Sequence, residues 1–530
     1  MRRCLSGGIE ASGHMKARIL SAEEAAALIS DDATVIVGGS GGIGVADDVL
    51  SAIAARFTSS GAPRRLTVVH TTGIGDFATK GLGHLAHRGL LKRTIGGNYG
   101  PQPRLMSLIV ANEVEAYNLP QGVLCQLYRA IAAKQPGIVT HVGLHTYMDP
   151  RQSGGRMNEA AREDLVERVE LAGQEWLFYK AFVPDFAILR GTTADEEGNV
   201  AFEHEAATLE GLSIAQAVHN AGGRVIVQVK RLTQRGRLHP QLVRIPCFLV
   251  DAVVVAPDAT QTFGTSYDPS LSGEATRPLS TLLPDKLGDR RVIARRAAME
   301  LRRGAVVNLG VGMSTGIPNI CAEEQLGDEF VLTVESGVIG GLPAMGLDFG
   351  SAYNPRAIVD QPYQFDFYDG GGLDIAFLSF AELDAAGHVN VTRFGNRADG
   401  CGGFINISQN AKRVVFLGTL TSGAKLRICD GAIGILQEGG VPKTVPQVRE
   451  ISFNGEHARK AGRDIMYVTE RAVMRLTSEG PTLVEIAPGL DLERDVLQVM
   501  GFRPAIAPDL RTMDRRIFCE GPMGLAAELG

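Results

Sequence analysis

The chain has 530 residues, room for several domains, and its 45% hydrophobic and 21% charged residues match an ordinary globular protein. A net charge of −6 with no basic, aromatic-interleaved stripe argues against a nucleic-acid partner, and no apolar run nears the ~18 residues of a membrane span. Seven cysteines (4, 125, 247, 321, 401, 429 and 519), an odd number without a CxxC pair, argue against a disulfide framework and a zinc site, and for a reducing compartment with the cytoplasm as default.

In chain order, MRRCLSGGIEASGHM lacks the apolar segment of a secretory signal; residues 1–16 are expected to be a disordered extension, with Met15 as an alternative start. Apolar, β-branched runs then recur, nearly all closing on glycine: ATVIVGGSGGIG (33–44), RLTVVHTTGIG (65–75), AVVNLGVGMSTG (305–316) and FVLTVESGVIGG (330–341). AEEAAALI (22–29) and DKLGDRRVIARRAAMELRRG (285–304) read as helices, the second with arginines on the face its apolar residues leave free. CFLVDAVVVAP (247–257) reads as a buried strand. Strands apolar on both faces, alternating with helices, predict α/β domains with mainly parallel sheets. The clustered glycines mark tight turns where backbone comes close to a ligand.

An internal repeat organises the chain. DFAILRGTTADEEGNVAF starts at Asp185 and DIAFLSFAELDAAGHVNV starts 189 residues later at Asp374. Each carries an aspartate ten residues on (Asp195, Asp384) and a glycine three beyond (Gly198, Gly387), and the same offset lays RVIVQV (224–229) over RVVFLG (413–418). ATVIVGG (33–39) matches AVVNLGV (305–311) at an offset of 272, so the first copy holds 83 extra residues, the difference of the two offsets. Two homologous open α/β domains are expected, at 17–256 and 287–515. The Pro-, Ser- and Thr-rich stretch 257–286 would be a linker, and 516–530 a C-terminal tail.

Several motifs invite chemistry and fail on context. In GGSGGIG, Gly39, Gly41 and Gly44 have dinucleotide-loop spacing, but no acid ends the next strand, so a tight strand-to-helix turn is the better reading. His141 and His145 in HVGLH flank Gly143 in a stretch unsuited to helix, and read as ordinary loop histidines. DFYDGGGLD (366–374) puts aromatics where a calcium loop needs ligands, and no serine or cysteine sits in a nucleophile motif. No metal site is expected.

Glu335 is different. It ends the short strand FVLTV, at the carboxyl edge where open α/β sheets hold ligands, and no basic residue is among its immediate neighbours. A carboxylate so placed can attack an activated acyl group, although position alone favours a capping or turn role.

With TVESGVIGG, GCGGFINIS (400–408) and LPQG (119–122) in one chain, the sequence resembles family I coenzyme A transferases, over about residues 19–509. Within them it is most similar to the single-chain acyl-CoA:acetate/3-ketoacid group that includes propionate CoA-transferases, with NPRAIVDQPYQFDFYDGGGLD and GCGGFINISQNAKRVVFLGT as the specific stretches. The resemblance implies that the halves are fused α- and β-subunit equivalents and that Glu335 is the nucleophile. It further implies that Gln121 and the backbone of Gly402 and Gly403 form an oxyanion hole, and that Asn308, Gly310, Gly312 and Lys425 line the CoA channel. Where 3-ketoacid enzymes place a lysine before the glycine pair, this chain has Asp399-Gly400-Cys401, which departs from a succinate or acetoacetate pattern.

The implied reaction is a ping-pong exchange between short-chain acyl-CoA and carboxylates through a glutamyl-CoA thioester. CoA is then a co-substrate, with no metal or other cofactor, and the protein a homodimer or homotetramer. An acyl-CoA hydrolase on the same scaffold, or a nucleotide-binding protein using GGSGGIG, are the alternatives.

Overall fold

The computed structural model describes residues 17–278, 286–327 and 329–529; the expected extension 1–16 lies outside them. In the first half, β1 (Arg18–Leu20), β2 (Thr34–Val37), β3 (Leu66–His70), β4 (Leu91–Gly96) and β5 (Glu115–Asn118) lead into helix α1 (Gln121–Ala132). β6 (Phe186–Asp195), α2 (Gly211–Asn220), β7 (Arg224–Thr233) and β8 (Ala252–Val255) follow. The eight strands form one parallel sheet in the order β1-β8-β7-β6-β2-β3-β4-β5. In CFLVDAVVVAP the expected buried strand is β8, shorter than the apolar run: Cys247–Leu249 form a 3₁₀ turn, and Asp251 between the two accepts the Val225 N–H at 2.8 Å.

The second half opens with α3 (Asp289–Ala298), then β9 (Val306–Leu309), β10 (Val331–Val334), α4 (Gln361–Asp369), β11 (Ile375–Ser379), α5 (Phe404–Asn410), β12 (Arg413–Leu417) and β13 (Asp464–Val468). Its parallel strands run β10-β9-β11-β12-β13, and antiparallel strands extend the sheet on both sides.

The repeat is one of structure as well as sequence. Val35 pairs with Phe186 as Val307 pairs with Ile375, and Arg224 faces Phe186 as Arg413 faces Ile375. Asp185 accepts the Thr34 N–H at 2.8 Å, and Asp374 accepts the Val306 N–H at 2.9 Å, each tying the central strand of its sheet to a neighbour. Asp195 gathers the N–H groups of Glu197, Gly198 and Asn199, and Asp384 those of Ala386 and His388. The following glycines have φ of +99° and +79°, a conformation that side chains resist. A continuous apolar core crosses from the first sheet to Phe365, Ile405 and Phe416 of the second half, while a separate core lies under α3.

Three expectations need correction. Three of the four arginines of α3 do not face solvent: Arg295 is 0% exposed, and Arg291 and Arg296 are buried, while Arg290 is exposed. Arg295 donates to Glu323 at 2.8 Å and to the carbonyls of Arg516, Cys519, Glu520 and Gly521, so the segment expected as a tail is packed on α3. Arg295→Ala would leave Glu323 and these carbonyls short of donors, a loss of ~3–5 kcal/mol for breaking a buried pair, seen as a lowered Tm. The described part of the expected linker is likewise folded. Thr262 and Thr265 donate to Asp348, and Asn354 exchanges two 2.9 Å bonds with the Arg277 backbone.

Candidate active site

Glu335 follows β10 directly, and the chain must turn at once. Gly337 does this with φ +100°, and a Cβ there would sit 2.0 Å from the Val359 carbonyl oxygen. Ser336 is buried and donates to the Gly350 carbonyl, which holds the 346–350 segment against the acid. The matching position in the first half is Thr71, three residues past Val68 as Glu335 is three past Leu332. Thr71 is buried and donates to Glu210 at 2.6 Å, so at this position of the sheet edge the first half has a hydroxyl where the second has an acid.

The Glu335 carboxylate is half-buried on a cavity of about 700 Å³ between the two halves. Burial pushes its pKa up to about 7, opposed by a hydrogen bond from the Gly403 N–H. A Cβ on Gly403 would lie 2.1 Å from Oε2 of Glu335, so any side chain there would push the carboxylate aside. Gly402 plays another part than expected. Its φ is +53°, and its N–H is taken by the Gly97 carbonyl at 2.6 Å, so of the glycine pair only Gly403 turns its N–H to the acid.

Gln121 is buried at the first position of α1 and lines the cavity. Its N–H donates to the Gly402 carbonyl at 2.9 Å, and Oε1 lies 3.6 Å from where a Gly402 Cβ would be. One N–H further on, Gly122 donates to Oδ1 of Asn406 at 3.2 Å. The first two amides of α1 are thus held by the opposite half. Asn406 in turn donates to Asp369 at 2.9 and 3.2 Å, and Gln126 of α1 adds a bond at 3.1 Å. Burial pushes Asp369 up to about 7 despite these donors. Asn118 completes the joint by donating to the Gly96 and Gly97 carbonyls at 2.6 Å each while accepting the Cys401 N–H at 2.9 Å.

Asn118, Asp369 and Asn406 were not singled out by sequence reasoning. Their only signal was position, inside NLPQG, at the end of QFDFYD and within GGFINIS. Asn406→Ala would strip Gly122 and Asp369 of a partner at once. It is expected to cost ~1–3 kcal/mol per orphaned group and to lower kcat about tenfold, seen in steady-state rates beside the melting curve.

Of the residues expected in a CoA channel, Gly310 and Gly312 line the cavity and two others do not. Asn308 is fully buried, its amide directed to the Thr333 carbonyl (3.4 Å) and the Tyr368 hydroxyl (3.3 Å), where it braces β9 against β10 and α4. Lys425 is exposed on the strand Lys425–Cys429, away from the lining. The lining cations are instead Arg397, held by Asp399, and Lys443. The GGSGGIG turn has the positive φ expected of it, and its Ser40, Gly41 and Gly42 also form cavity wall. His141 bonds Asn410 at 2.7 Å, and His145 stacks on His457 with ring centroids 4.4 Å apart. No cluster among the described residues has the make-up of a metal site.

A model of the coenzyme A transferase family matches residues 19–256. Across the whole chain, identity to the acetate CoA-transferase YdiF of Escherichia coli K12 is 47% over 509 residues, 96% of each protein. The chain belongs to the coenzyme A transferase family. This CoA transferase is also 44% identical over 522 residues to the caffeate CoA-transferase of Acetobacterium woodii, covering 97% of this chain and all of that one. Its fold matches the crystal structure of YdiF from E. coli O157:H7 in a thioester complex with CoA, with a TM-score of 0.92 and 46% identity over 96% and 97% of the two chains. The enzyme exchanges CoA between an acyl-CoA and a carboxylate. Two homologous, mainly parallel α/β halves carry it.

Proposed function

We propose that Glu335 is the nucleophile of this exchange and that its substrates are acyl-CoA thioesters and monocarboxylates of the acetate, propionate and butyrate class. The observation carrying this reading is the single carboxylate at the sheet edge, open to the cavity and touched by the Gly403 N–H, with Gln121 entering from the other half. Ionised Glu335 attacks the thioester carbonyl, CoA leaves as thiolate, and a mixed anhydride remains. The thiolate attacks the glutamyl carbonyl, the donor carboxylate leaves, and Glu335 is joined to CoA as a thioester. An acceptor carboxylate runs the steps backward, so one thioester is formed for each broken.

Both oxyanions need donors already in place, since preorganised N–H groups do not reorganise as charge develops. Gly403 and the Gln121 amide are the residues proposed for this. Arg397 and Lys443 are proposed to meet the phosphates of CoA, in place of Lys425. Binding energy from that distant end can be used to lower the barrier at Glu335. The relatives named for acetate and for caffeate bracket a wide range of acid size.

Mass spectrometry of the intact protein tests the nucleophile. With propionyl-CoA and no acceptor, the protein should gain the mass of CoA less one water, lost again on treatment with hydroxylamine. Steady release of free CoA without an acceptor would instead mark a hydrolase. Because burial raises the Glu335 pKa to about 7, kcat/KM is expected to fall tenfold per unit as pH drops below about 7, with pH–rate profiles as the check. A homo-oligomer in the cytoplasm is proposed as the setting. The six described cysteines support that compartment, all being free thiols, and sedimentation would give the assembly.

A further inference from the structure

The charges lining the cavity are unevenly shared. Glu335, Glu382, Arg397, Asp399 and Lys443 all come from the second half, and the first half contributes no charged side chain to the lining among the described residues. The phosphates of CoA belong with the cations, on the second-half wall. The uncharged first-half wall nevertheless reaches the acid. Beside Glu335, Ser336 holds Gly350, whose Cβ position is 3.7 Å from Oγ of Ser40 and 3.0 Å from Ile43.

On that first-half wall stands Phe77. It has φ +63°, where a bulky residue is a true outlier, and it is 59% exposed although large and apolar. Its turn is well fixed: the Phe77 N–H donates to the Pro101 carbonyl at 3.0 Å, and Asp76 accepts the N–H groups of Ala78 and Lys80 at 2.9 and 3.0 Å. Glycine or asparagine would make this turn with less strain and expose no ring to water. Strain held in place at the edge of a substrate cavity points to a contact made by the ring.

We propose that the acyl group lies against the first-half wall, that Phe77 is its specificity-determining contact, and that the enzyme takes uncharged acyl groups with an apolar chain or ring and rejects dicarboxylic ones. This rests on the proposed chemistry at Glu335. A second carboxylate on the acyl group would find no cation lining that wall, since Lys80 of the same turn lies outside the lining and over the Phe263 ring at 5.0 Å, and it would lose its water unpaired. An apolar chain would cover the Phe77 ring.

The test compares acetyl-, butyryl- and succinyl-CoA as donors, with acetate-d3 as acceptor so that every donor gives a countable product. In the unmodified enzyme, kcat/KM for butyryl-CoA is expected to exceed that for succinyl-CoA by at least ~100-fold. Phe77→Gly and Phe77→Asn, which suit the backbone, should keep or raise the Tm. They should lower kcat/KM for butyryl-CoA ~10-fold or more, leave acetyl-CoA within about twofold, and leave the Kd of free CoA unchanged. An equal loss for all donors, a weakened Kd for free CoA, or succinyl-CoA used as well as butyryl-CoA would each overturn the assignment. Failure of the chemistry itself would look different, as no hydroxylamine-labile CoA adduct would form with any donor.

Discussion

Glu335→Ala is expected to lose CoA transfer by at least ~10⁴-fold, the scale seen when a covalent nucleophile is removed, and to gain no CoA adduct from any acyl-CoA donor. Glu382 and Asp399 also line the cavity, but neither is the carboxylate that receives the Gly403 N–H. The protein should stay folded, because the acid is held there at a cost to stability. Its carboxyl has a pKa raised from an ordinary 4.5 to about 7 by burial. Between those values the folded chain binds more protons than the unfolded one, so stability falls as pH rises through this window and stays lower above it. Glu335→Gln escapes that fall. It should therefore melt above the unmodified protein at pH 8, with the gap narrowing toward pH 5. Transfer at the unmodified rate by Glu335→Ala would remove the acid from the mechanism, and a gap that widened at low pH would contradict its burial.

Gln121→Ala is the second large effect, expected at ~10²–10³-fold in kcat, the cost of one oxyanion donor. The backbone bond from residue 121 to the Gly402 carbonyl does not involve the side chain, so the start of α1 should stay where it is. The loss should then appear in kcat with KM for acyl-CoA little changed, since an interaction made only with a developing charge does not help ground-state binding. A change confined to KM would make Gln121 a binding residue. Isolating the two half-reactions by stopped-flow should show both slowed, because each passes through an oxyanion at the same carbonyl carbon.

Much of this was legible in the residues. The Asp185 and Asp374 repeat marks two halves in the sequence itself, because the aspartate that ties each strand to its neighbour and the aspartate–glycine turn that ends it must keep a fixed spacing along that strand. Glu335, Gln121 and Gly403 were picked out by resemblance and brought to one cavity by the fold. Other readings went astray for a shared reason. Arg291 and Arg295 of α3 look like part of a solvated face until residues 516–521 are seen to return and cover them. Lys425 looks like a ligand for phosphate until the cavity lining is seen to include Lys443 in its place, and Lys443 has no motif around it. The Gly402 N–H could be assigned to an oxyanion only while its partner, Gly97, some 300 residues away, was unseen.

By itself the sequence determined the α/β class, the doubled architecture and the acid at the end of FVLTV. Hydrophobic period, glycine at strand ends and repeated turn chemistry are all local, and local patterns survive in a string of letters. Only the tertiary structure decided which groups meet that acid. Gly403 can approach it because it carries no Cβ, Gln121 shares its cavity because Asn406 and Gly402 hold the first turn of α1, and the charged side chains of the lining fall on one wall among the described residues. Those facts depend on where the two sheets are pressed together, and no spacing along the chain records it.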